Sequence, residues 1–196
     1  MRNGLRSRID VVCPTFNRSS GIRATINSVL AQWCTDITEH PARDGKVYCC
    51  AILDCFSKKI VGRSFSTVAD TALVDNVVNM AMAERSGNSG LILHADHGSQ
   101  FTSWSFGENL RRHNLLPSFG TVEDCFDNAA IESFWGLQTE LLNTKRWATT
   151  LELTIAMANW IDNLYNSGRR RSYLGYTSPD EYEMLCLDIQ PTPQLS

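Results

Sequence analysis

The pattern of apolar and polar residues first takes the form of short β-prone stretches, of which residues 47–53 are almost continuously apolar and predict a buried strand. From residue 33 onward, three β-prone stretches cover residues 33–38, 47–53 and 60–65. Short turns separate them, one with Arg-Asp-Gly at 43–45 and one with Ser-Lys-Lys at 57–59. Strands joined by such short turns pair with their neighbours along the chain, so this part of the sequence predicts an antiparallel meander.

The pattern then changes to the period of a helix. Over residues 71–85, apolar positions recur every three or four residues, which predicts a helix. The later stretches predict, in chain order, a strand over 91–95, a helix over 103–113, an edge strand over 115–119, and helices over 129–142, over 150–165 and from Pro179. This order predicts a sheet with helices on its faces, an α/β or α+β fold.

The chain of 196 residues is long enough for one domain with a real core. Residues 1–32 carry Pro14 and a Ser-Ser-Gly break and are interpreted as a poorly ordered lead-in. Residues 33–185 form the expected core, and residues 186–196 the expected flexible tail. No apolar run approaches the length of about 18 residues that a membrane span needs. A cytoplasmic protein without a membrane partner is therefore expected.

Cysteine content and charge exclude some classes of protein. The seven cysteines include no Cys-x-x-Cys pair, so neither a disulfide scaffold nor a zinc ribbon is expected. The net charge of −3 argues mildly against nucleic-acid binding by the chain as a whole. Basic residues nevertheless cluster locally, as Lys145 with Arg146 and as the run from Arg169 to Arg171.

Three acidic residues are distinguished by their positions. Asp36 lies inside the first predicted strand, Asp96 where the fourth ends, and Glu132 one turn into the helix predicted over 129–142. If the first and fourth strands are neighbours, the two aspartates converge, and a helix packed on the sheet delivers Glu132. Three carboxylates without His or Cys ligands suit Mg²⁺ or Mn²⁺. A pair of such ions promotes phosphodiester displacement.

Each of these residues also has a simpler interpretation. Asp36 could be a turn or cap residue, Asp96 could cap the turn at Gly98, and Glu132 could lie on a helix surface. His94 and His97 could be zinc ligands, although two histidines without a third partner are more often structural. The residues alone therefore support a carboxylate–metal site only as a hypothesis.

Several stretches together resemble a known family, the integrase-type core of bacterial insertion-sequence transposases of family three, whose members are made from two overlapping reading frames. The matching stretches are 33–40, 52–57, 94–103, 127–134, Tyr165-Asn166, Leu174-Gly175-Tyr176 and Ser178-Pro179. Thirty-five residues lie between Asp96 and Glu132. The family's name for its triad of acidic residues includes this same number, as the spacing between the second and third residues. The resemblance runs from about residue 33 to 183, which is most of the chain.

The resemblance implies a ribonuclease-H-like fold with a mixed five-stranded sheet. It implies that Asp36, Asp96 and Glu132 are catalytic and bind two Mg²⁺ (or Mn²⁺) ions. The implied activity is DNA cleavage that leaves a 3′ hydroxyl, followed by strand transfer by that hydroxyl. Transposon ends and target DNA are the implied partners, with a homo-oligomer assembled on DNA and a separate helix-turn-helix protein or domain that recognises the ends.

The basic clusters are the expected DNA contacts. Lys145, Arg146, Arg169, Arg170 and Arg171 are predicted to bind phosphates, which position a duplex without carrying sequence information.

The sequence departs from the family pattern in several places. Ala95 stands where the family usually has Ser, and Arg171 where it usually has His. The helix after Glu132 is one residue short, and no stretch is identified as an end-recognition module. A second hypothesis is therefore a catalytically inactive, truncated relic that only binds DNA or multimerises. A ribonuclease H, which shares the fold and the metals, is disfavoured by the 127–134 and Tyr165-Asn166 motifs.

Overall fold

A computed structural model of the chain describes residues 32–85, 90–96, 98–119, 136 and 140–188. Three predicted features lie outside these residues: nearly all of the lead-in, residues 189–196 of the tail, and most of the helix predicted over 129–142. Glu132 and His97 lie outside them as well.

The described elements follow the predicted order. They are β1 (Gln32–Ala42), β2 (Gly45–Asp54), β3 (Ile60–Ser66), α1 (Thr71–Glu84), β4 (Ile92–Ala95), α2 (Trp104–Arg112), β5 (Leu116–Phe119), a 3-10 turn (Leu142–Thr144), α3 (Thr150–Asn159), a π-helix (Trp160–Asn166), a second 3-10 turn (Ser172–Leu174) and α4 (Pro179–Asp188). α4 therefore continues to Asp188, whereas a flexible tail was expected to begin at residue 186. None of the helices in the described ranges is long and apolar enough to cross a membrane.

The five strands form one mixed sheet in the order β3-β2-β1-β4-β5. β1 pairs with β2, and β2 with β3, in antiparallel register, which confirms the predicted meander. β4 runs parallel to β1, and β5 parallel to β4. The first and fourth predicted strands are therefore neighbours, which is the condition for Asp36 and Asp96 to converge.

Helices cover both faces of the sheet. One apolar cluster joins the sheet to α1 and α2, with Ile52 and Phe106 among its members. The other joins it to α3 and the π-helix, with Leu53 and Met157 among its members. Successive strand residues point to opposite faces, which is why Ile52 and Leu53 belong to different clusters. The fold is thus α/β, with a central sheet between two helical layers.

The helix predicted over 150–165 changes type within its length. α3 ends at Asn159, and the chain continues to Asn166 as a π-helix. Asn166 is buried, and its side-chain amide pairs with both backbone groups of Ile60 at the start of β3. Its Oδ1 accepts from the Ile60 N–H at 2.9 Å, and its Nδ2 donates to the Ile60 carbonyl at 3.0 Å. The Tyr165-Asn166 motif therefore ties this helix to the sheet.

Gly62 allows α1 to lie directly against β3. A Cβ atom at position 62 would lie 2.6 Å from the Val77 carbonyl oxygen and 3.0 Å from the Ala81 Cβ. We expect Gly62→Ala to lower the free energy of unfolding by about 1–3 kcal/mol, because helix and strand must move apart. Urea denaturation measures this change.

Gly107 provides the control for that substitution. Nothing lies within 4 Å of a Cβ atom built at Gly107, and alanine is the better helix former. Gly107→Ala should therefore leave stability unchanged or raise it. An equal loss for both variants would show that close packing at Gly62 is not the cause.

Candidate functional site

Asp36 and Asp96 lie at the same level of neighbouring strands. Cys34 of β1 pairs with His94 of β4 in parallel register, and each aspartate follows its paired residue by two positions. Asp36 remains within β1, whereas Asp96 comes directly after β4 ends. Both line one open pocket of about 260 Å³. The structure therefore brings together two of the three predicted carboxylates.

The pocket offers oxygen donors. Its lining residues are Asp36, Ile37, Glu39, Tyr48, Ala69, Asp96, Gln100 and Phe101. Glu39 already pairs with Lys46 at 2.8 Å, and the hydrogen bond from Lys46 lowers the pKa of Glu39. With the Glu39 charge balanced by Lys46, Asp36 and Asp96 are the carboxylates best placed for a cation.

Asp36 is held inside the central strand of the sheet. It is half-buried and paired across the sheet with Ala51 of β2, and its Oδ1 accepts from the Ile37 N–H at 2.8 Å. The simpler interpretation of Asp36 as a turn or cap residue is therefore wrong.

The turn after β4 holds the Asp96 carboxylate. The Gly98 N–H donates to Asp96 Oδ1 at 2.9 Å. A Cβ atom at position 98 would lie 2.9 Å from the same oxygen and 3.2 Å from Gln100 Oε1. A larger residue at position 98 would therefore have to displace the Asp96 or Gln100 side chain. Asp96 thus does cap this turn, and the contact uses one of its two oxygens.

Gln100 and Phe101 anchor the same turn beneath the pocket. Gln100 Nε2 donates to the Ala69 carbonyl at 3.1 Å, which links the turn to the segment before α1. Phe101 is almost fully buried, and its ring lies 5.5 Å from that of Phe106. Sequence reasoning anticipated the turn at Gly98 but missed the role of Gln100, although both residues lie within the 94–103 stretch that carries the resemblance.

A buried thiol lies next to the two aspartates without being suited to bind metal. Burial raises the pKa of the Cys50 thiol to about 12, and the negative charges of Asp36 and Asp96 act in the same direction. Cys50 is therefore a neutral thiol at physiological pH, and thiolate ligands are the ones that bind metals.

The third predicted carboxylate, Glu132, lies outside the described residues. Within the described ranges, no three His, Cys, Asp or Glu side chains are grouped closely enough to hold a metal. The described residues that follow Glu132 most closely are Gly136 and Glu140.

The predicted phosphate contacts before α3 line a second pocket. Lys145 and Arg146 border this space of about 560 Å³, together with Arg43 and Trp147. Lys145 Nζ lies 4.3 Å from the centre of the Trp147 ring and 2.6 Å from the Glu152 carboxylate. Arg146 is exposed and forms no ion pair with a described residue.

The three arginines after the π-helix differ in their surroundings. Arg169 pairs with Glu140 at 2.7 Å, and the Arg171 guanidinium lies 4.8 Å from the centre of the Tyr165 ring. Arg170 is largely exposed, with Glu181 at 3.8 Å. The three arginines therefore do not form one basic patch. Arg169 and Arg171 contact other parts of the protein, whereas Arg170 faces solvent.

Comparison with known proteins places the chain in a family. The family model described as the integrase core domain matches residues 27–125. The transposase for insertion sequence element IS904 of Lactococcus lactis is 36% identical over 152 residues, covering 77% of this chain and 60% of that protein. Transposase InsF for insertion sequence IS3A of Escherichia coli is 31% identical over 194 residues, covering 93% and 67%. The chain thus spans 60% to 67% of the length of these relatives.

The fold also matches solved integrase cores. The HTLV-2 integrase catalytic core domain, solved in complex with magnesium in a dimeric form, superposes with a TM-score of 0.55 at 16% identity, over 77% of this chain and 94% of that one. This likeness confirms the ribonuclease-H-like fold that the resemblance implied. The chain therefore belongs to the integrase core domain family, among the transposases of family-three insertion sequences.

Proposed function

We propose that this chain is the catalytic core of a DNA transposase that cleaves phosphodiester bonds and joins DNA strands with the help of divalent metal ions. The observation that carries the proposal is the placement of Asp36 and Asp96 across β1 and β4, at one pocket. In the proposal, Glu132 is the third catalytic carboxylate. Membership of a transposase family supports this assignment.

The donors at the pocket fit magnesium or manganese. Both are hard cations that prefer carboxylate oxygens, and Mg²⁺ often uses only one or two protein carboxylates besides water and substrate phosphates. Asp36, Asp96 and Glu132 would hold two such ions. When bound, the ions activate the attacking oxygen and stabilise the leaving oxygen.

The protein itself contributes orientation. Backbone N–H groups of Ile37 and Gly98 each bind one carboxylate oxygen, so the sheet and its turn hold Asp36 and Asp96 before DNA arrives. Ligands that are already in place lose little orientational freedom when the reaction begins. The attacking oxygen comes from water in cleavage and from a DNA 3′ hydroxyl in strand transfer, so no covalent enzyme intermediate is needed.

DNA is the proposed partner, both as transposon ends and as target. A homo-oligomer on DNA and a separate helix-turn-helix protein or domain for end recognition belong to the same proposal. The proposal also locates the activity in the bacterial cytoplasm, at the nucleoid. Of the basic residues predicted to bind DNA, Arg146 and Arg170 are the best candidates for phosphate contacts. Both are exposed, and neither is held in a close ion pair with a described residue, as Lys145 and Arg169 are.

We expect DNA binding by this chain to be weak, sensitive to salt and indifferent to sequence. The combined change Arg146→Ala with Arg170→Ala should weaken binding to all duplexes equally. It should also reduce the slope of the logarithm of the binding constant against the logarithm of salt concentration by about 2. Arg111→Ala, which removes a surface ion pair with Glu108, is the control.

Competition between transposon-end and scrambled duplexes at physiological salt measures this indifference. A preference of about a hundredfold for the end sequence, or roughly 2.7 kcal/mol, would contradict it.

A strand-joining assay tests the proposed function directly. The purified chain is mixed with a supercoiled plasmid and short duplexes that end in a free 3′ hydroxyl, one with the terminal sequence of a related insertion sequence and one scrambled. We expect joined products in Mg²⁺ or Mn²⁺ and none after chelation. DNA binding without joining in either metal would support the alternative, a catalytically inactive truncated relic.

A further inference from the structure

We propose that the pocket at the end of the β1–β2 hairpin holds the sugar–phosphate backbone of a duplex whose reacting end lies at Asp36 and Asp96. Arg43, in the turn of the hairpin, and Arg146, in the segment before α3, are the phosphate contacts. The inference rests on the proposed function and deepens it. It adds Arg43, which the sequence prediction did not include, and it fixes where along the DNA the contact falls.

The charge of this basic pocket suits an anion. Three of the described side chains that line it are cationic: Arg43, Lys145 and Arg146. The one anionic side chain among them, Glu39, is paired with Lys46 at 2.8 Å. Because the charge of Glu39 is balanced in this way, the rim of the pocket is positive even though the chain as a whole is acidic.

Arg43 and Arg146 are the cations available to a ligand. Both are exposed, and neither forms an ion pair with a described residue. Lys145, in contrast, is held by Glu152 at 2.6 Å and by the Trp147 ring. A guanidinium can donate two parallel hydrogen bonds to the oxygens of one phosphate. Two such groups that border one cavity therefore suit a phosphodiester backbone.

The two segments that carry these arginines are tied together. The Arg43 N–H donates to the Trp147 carbonyl at 3.0 Å, and the Asp44 carboxylate accepts from the Thr150 N–H at 2.7 Å. Leu142 and Trp147 line the pocket as buried side chains, and they offer an apolar surface to deoxyribose. A site that is assembled in advance loses little conformational freedom when its ligand binds.

The basic pocket lies on the same face of β1 as Asp36. Alternate residues of a strand point to one face, so Asp36 shares its face with His40 and Ala42, which line the pocket. At about 3.4 Å per residue, these two residues lie about 14 Å and about 20 Å from Asp36 along the strand. Glu39 lines both this pocket and the carboxylate pocket, so the two are adjacent.

This distance predicts which phosphates are bound. A duplex advances about 3.4 Å per base pair along its axis. A duplex that follows β1 from the carboxylates therefore places the contacted phosphates about four to six base pairs from the reacting end.

Strand joining with DNA that carries one uncharged methylphosphonate tests this contact, because the reacting 3′ hydroxyl fixes the register. The substitution is moved through about the first ten phosphates of the donor duplex, one helical turn. In a second series it is placed in a defined target duplex, and the joining sites around it are mapped. At subsaturating DNA, wild type should join about tenfold more slowly when the substitution lies four to six positions from the reaction in one of the series.

Arg43→Ala should remove this sensitivity. The variant should join unmodified DNA about tenfold more slowly than wild type. The methylphosphonate should then cause little further loss, because the pair of charges is already broken. Arg146→Ala should behave in the same way at a neighbouring position. Thermal unfolding should be unchanged, because alanine keeps the N–H group that binds the Trp147 carbonyl.

A control variant and a second measurement make the test specific. Arg111→Ala removes an arginine from the surface pair with Glu108 on α2, and it should keep both the wild-type rate and the wild-type sensitivity to methylphosphonate. Equilibrium binding of unmodified duplex without metal should show a salt slope shallower by about 1 for Arg43→Ala.

The outcomes separate this inference from the proposed function. An effect in the donor series assigns the pocket to the transposon end, and one in the target series assigns it to target DNA. Additive losses from Arg43→Ala and the methylphosphonate overturn the inference, as does joining by Arg43→Ala at the wild-type rate. If the wild-type chain joins no DNA, the proposed function fails, and the salt slope alone then decides whether Arg43 contacts phosphate.

Discussion

Asp36→Asn, Asp96→Asn and Glu132→Gln are each expected to reduce metal-dependent strand joining by at least about a thousandfold. Each change removes one negative charge and one strong metal ligand. The Asp36→Asn and Asp96→Asn variants should keep the wild-type fold, because an asparagine amide oxygen can still accept from the N–H groups of Ile37 and Gly98. Initial joining rates at saturating Mg²⁺ measure the loss, and thermal unfolding checks the fold.

A carboxylate away from the pocket serves as the control for these variants. Glu108 lies on α2 in a surface pair with Arg111, so Glu108→Gln removes the same charge without touching the site. It should join DNA at the wild-type rate. Wild-type rates for Asp36→Asn or Asp96→Asn would contradict the assignment of the pocket.

Gly98→Ala is expected to reduce joining by about a hundredfold, although residue 98 carries no functional group. The new Cβ atom would lie 2.9 Å from Asp96 Oδ1, so either the carboxylate or the turn must shift. A displacement of about 1 Å at a reacting centre can cost a factor of this size. Joining rates measure it, and Gly107→Ala is the matched control, since a Cβ atom there meets nothing within 4 Å. Equal rates for Gly98→Ala and wild type would show that the turn does not position Asp96.

The central part of the sheet was predicted well because β2 is buried between two helical layers. Ile52 and Leu53 face different apolar clusters, so this strand is recognised as a nearly continuous apolar run bounded by turns. The far end of β1 was not predicted. Residues 39–42 carry no apolar alternation, and they continue the strand because the hairpin pairs them with β2 as far as Gly45.

The π-helix could not be predicted from local pattern. Its residues continue the helical period of α3, and the contact at its end joins Asn166 to Ile60, which lies far away in the sequence. The pairing of Arg169 with Glu140 has the same origin. From the sequence alone, a run of arginines is interpreted as a solvated basic patch. The acidic residue that pairs with Arg169 is brought beside it only by the fold.

The family resemblance marked important positions without separating catalytic from structural roles. Asp54, in the 52–57 stretch, accepts from the N–H groups of Phe56 at 2.8 Å and Ser57 at 3.3 Å, and burial raises its pKa. It therefore shapes the turn between β2 and β3. Ser178 and Glu181 form the reciprocal cap of α4, as the Ser178-Pro179 signal predicted. Placement beside the pocket is what distinguishes Asp36 and Asp96 from these residues.

Anomalous diffraction from crystals of the full chain soaked in Mn²⁺ is the most direct test of the central claim. We expect manganese peaks at the pocket between β1 and β4, with carboxylate oxygens of Asp36, Asp96 and Glu132 at coordination distances of roughly 2.0–2.2 Å. Glu39 lines the same pocket and is the alternative third ligand. Manganese bound by Glu39 in place of Glu132, or no manganese at Asp36 and Asp96, would contradict the account.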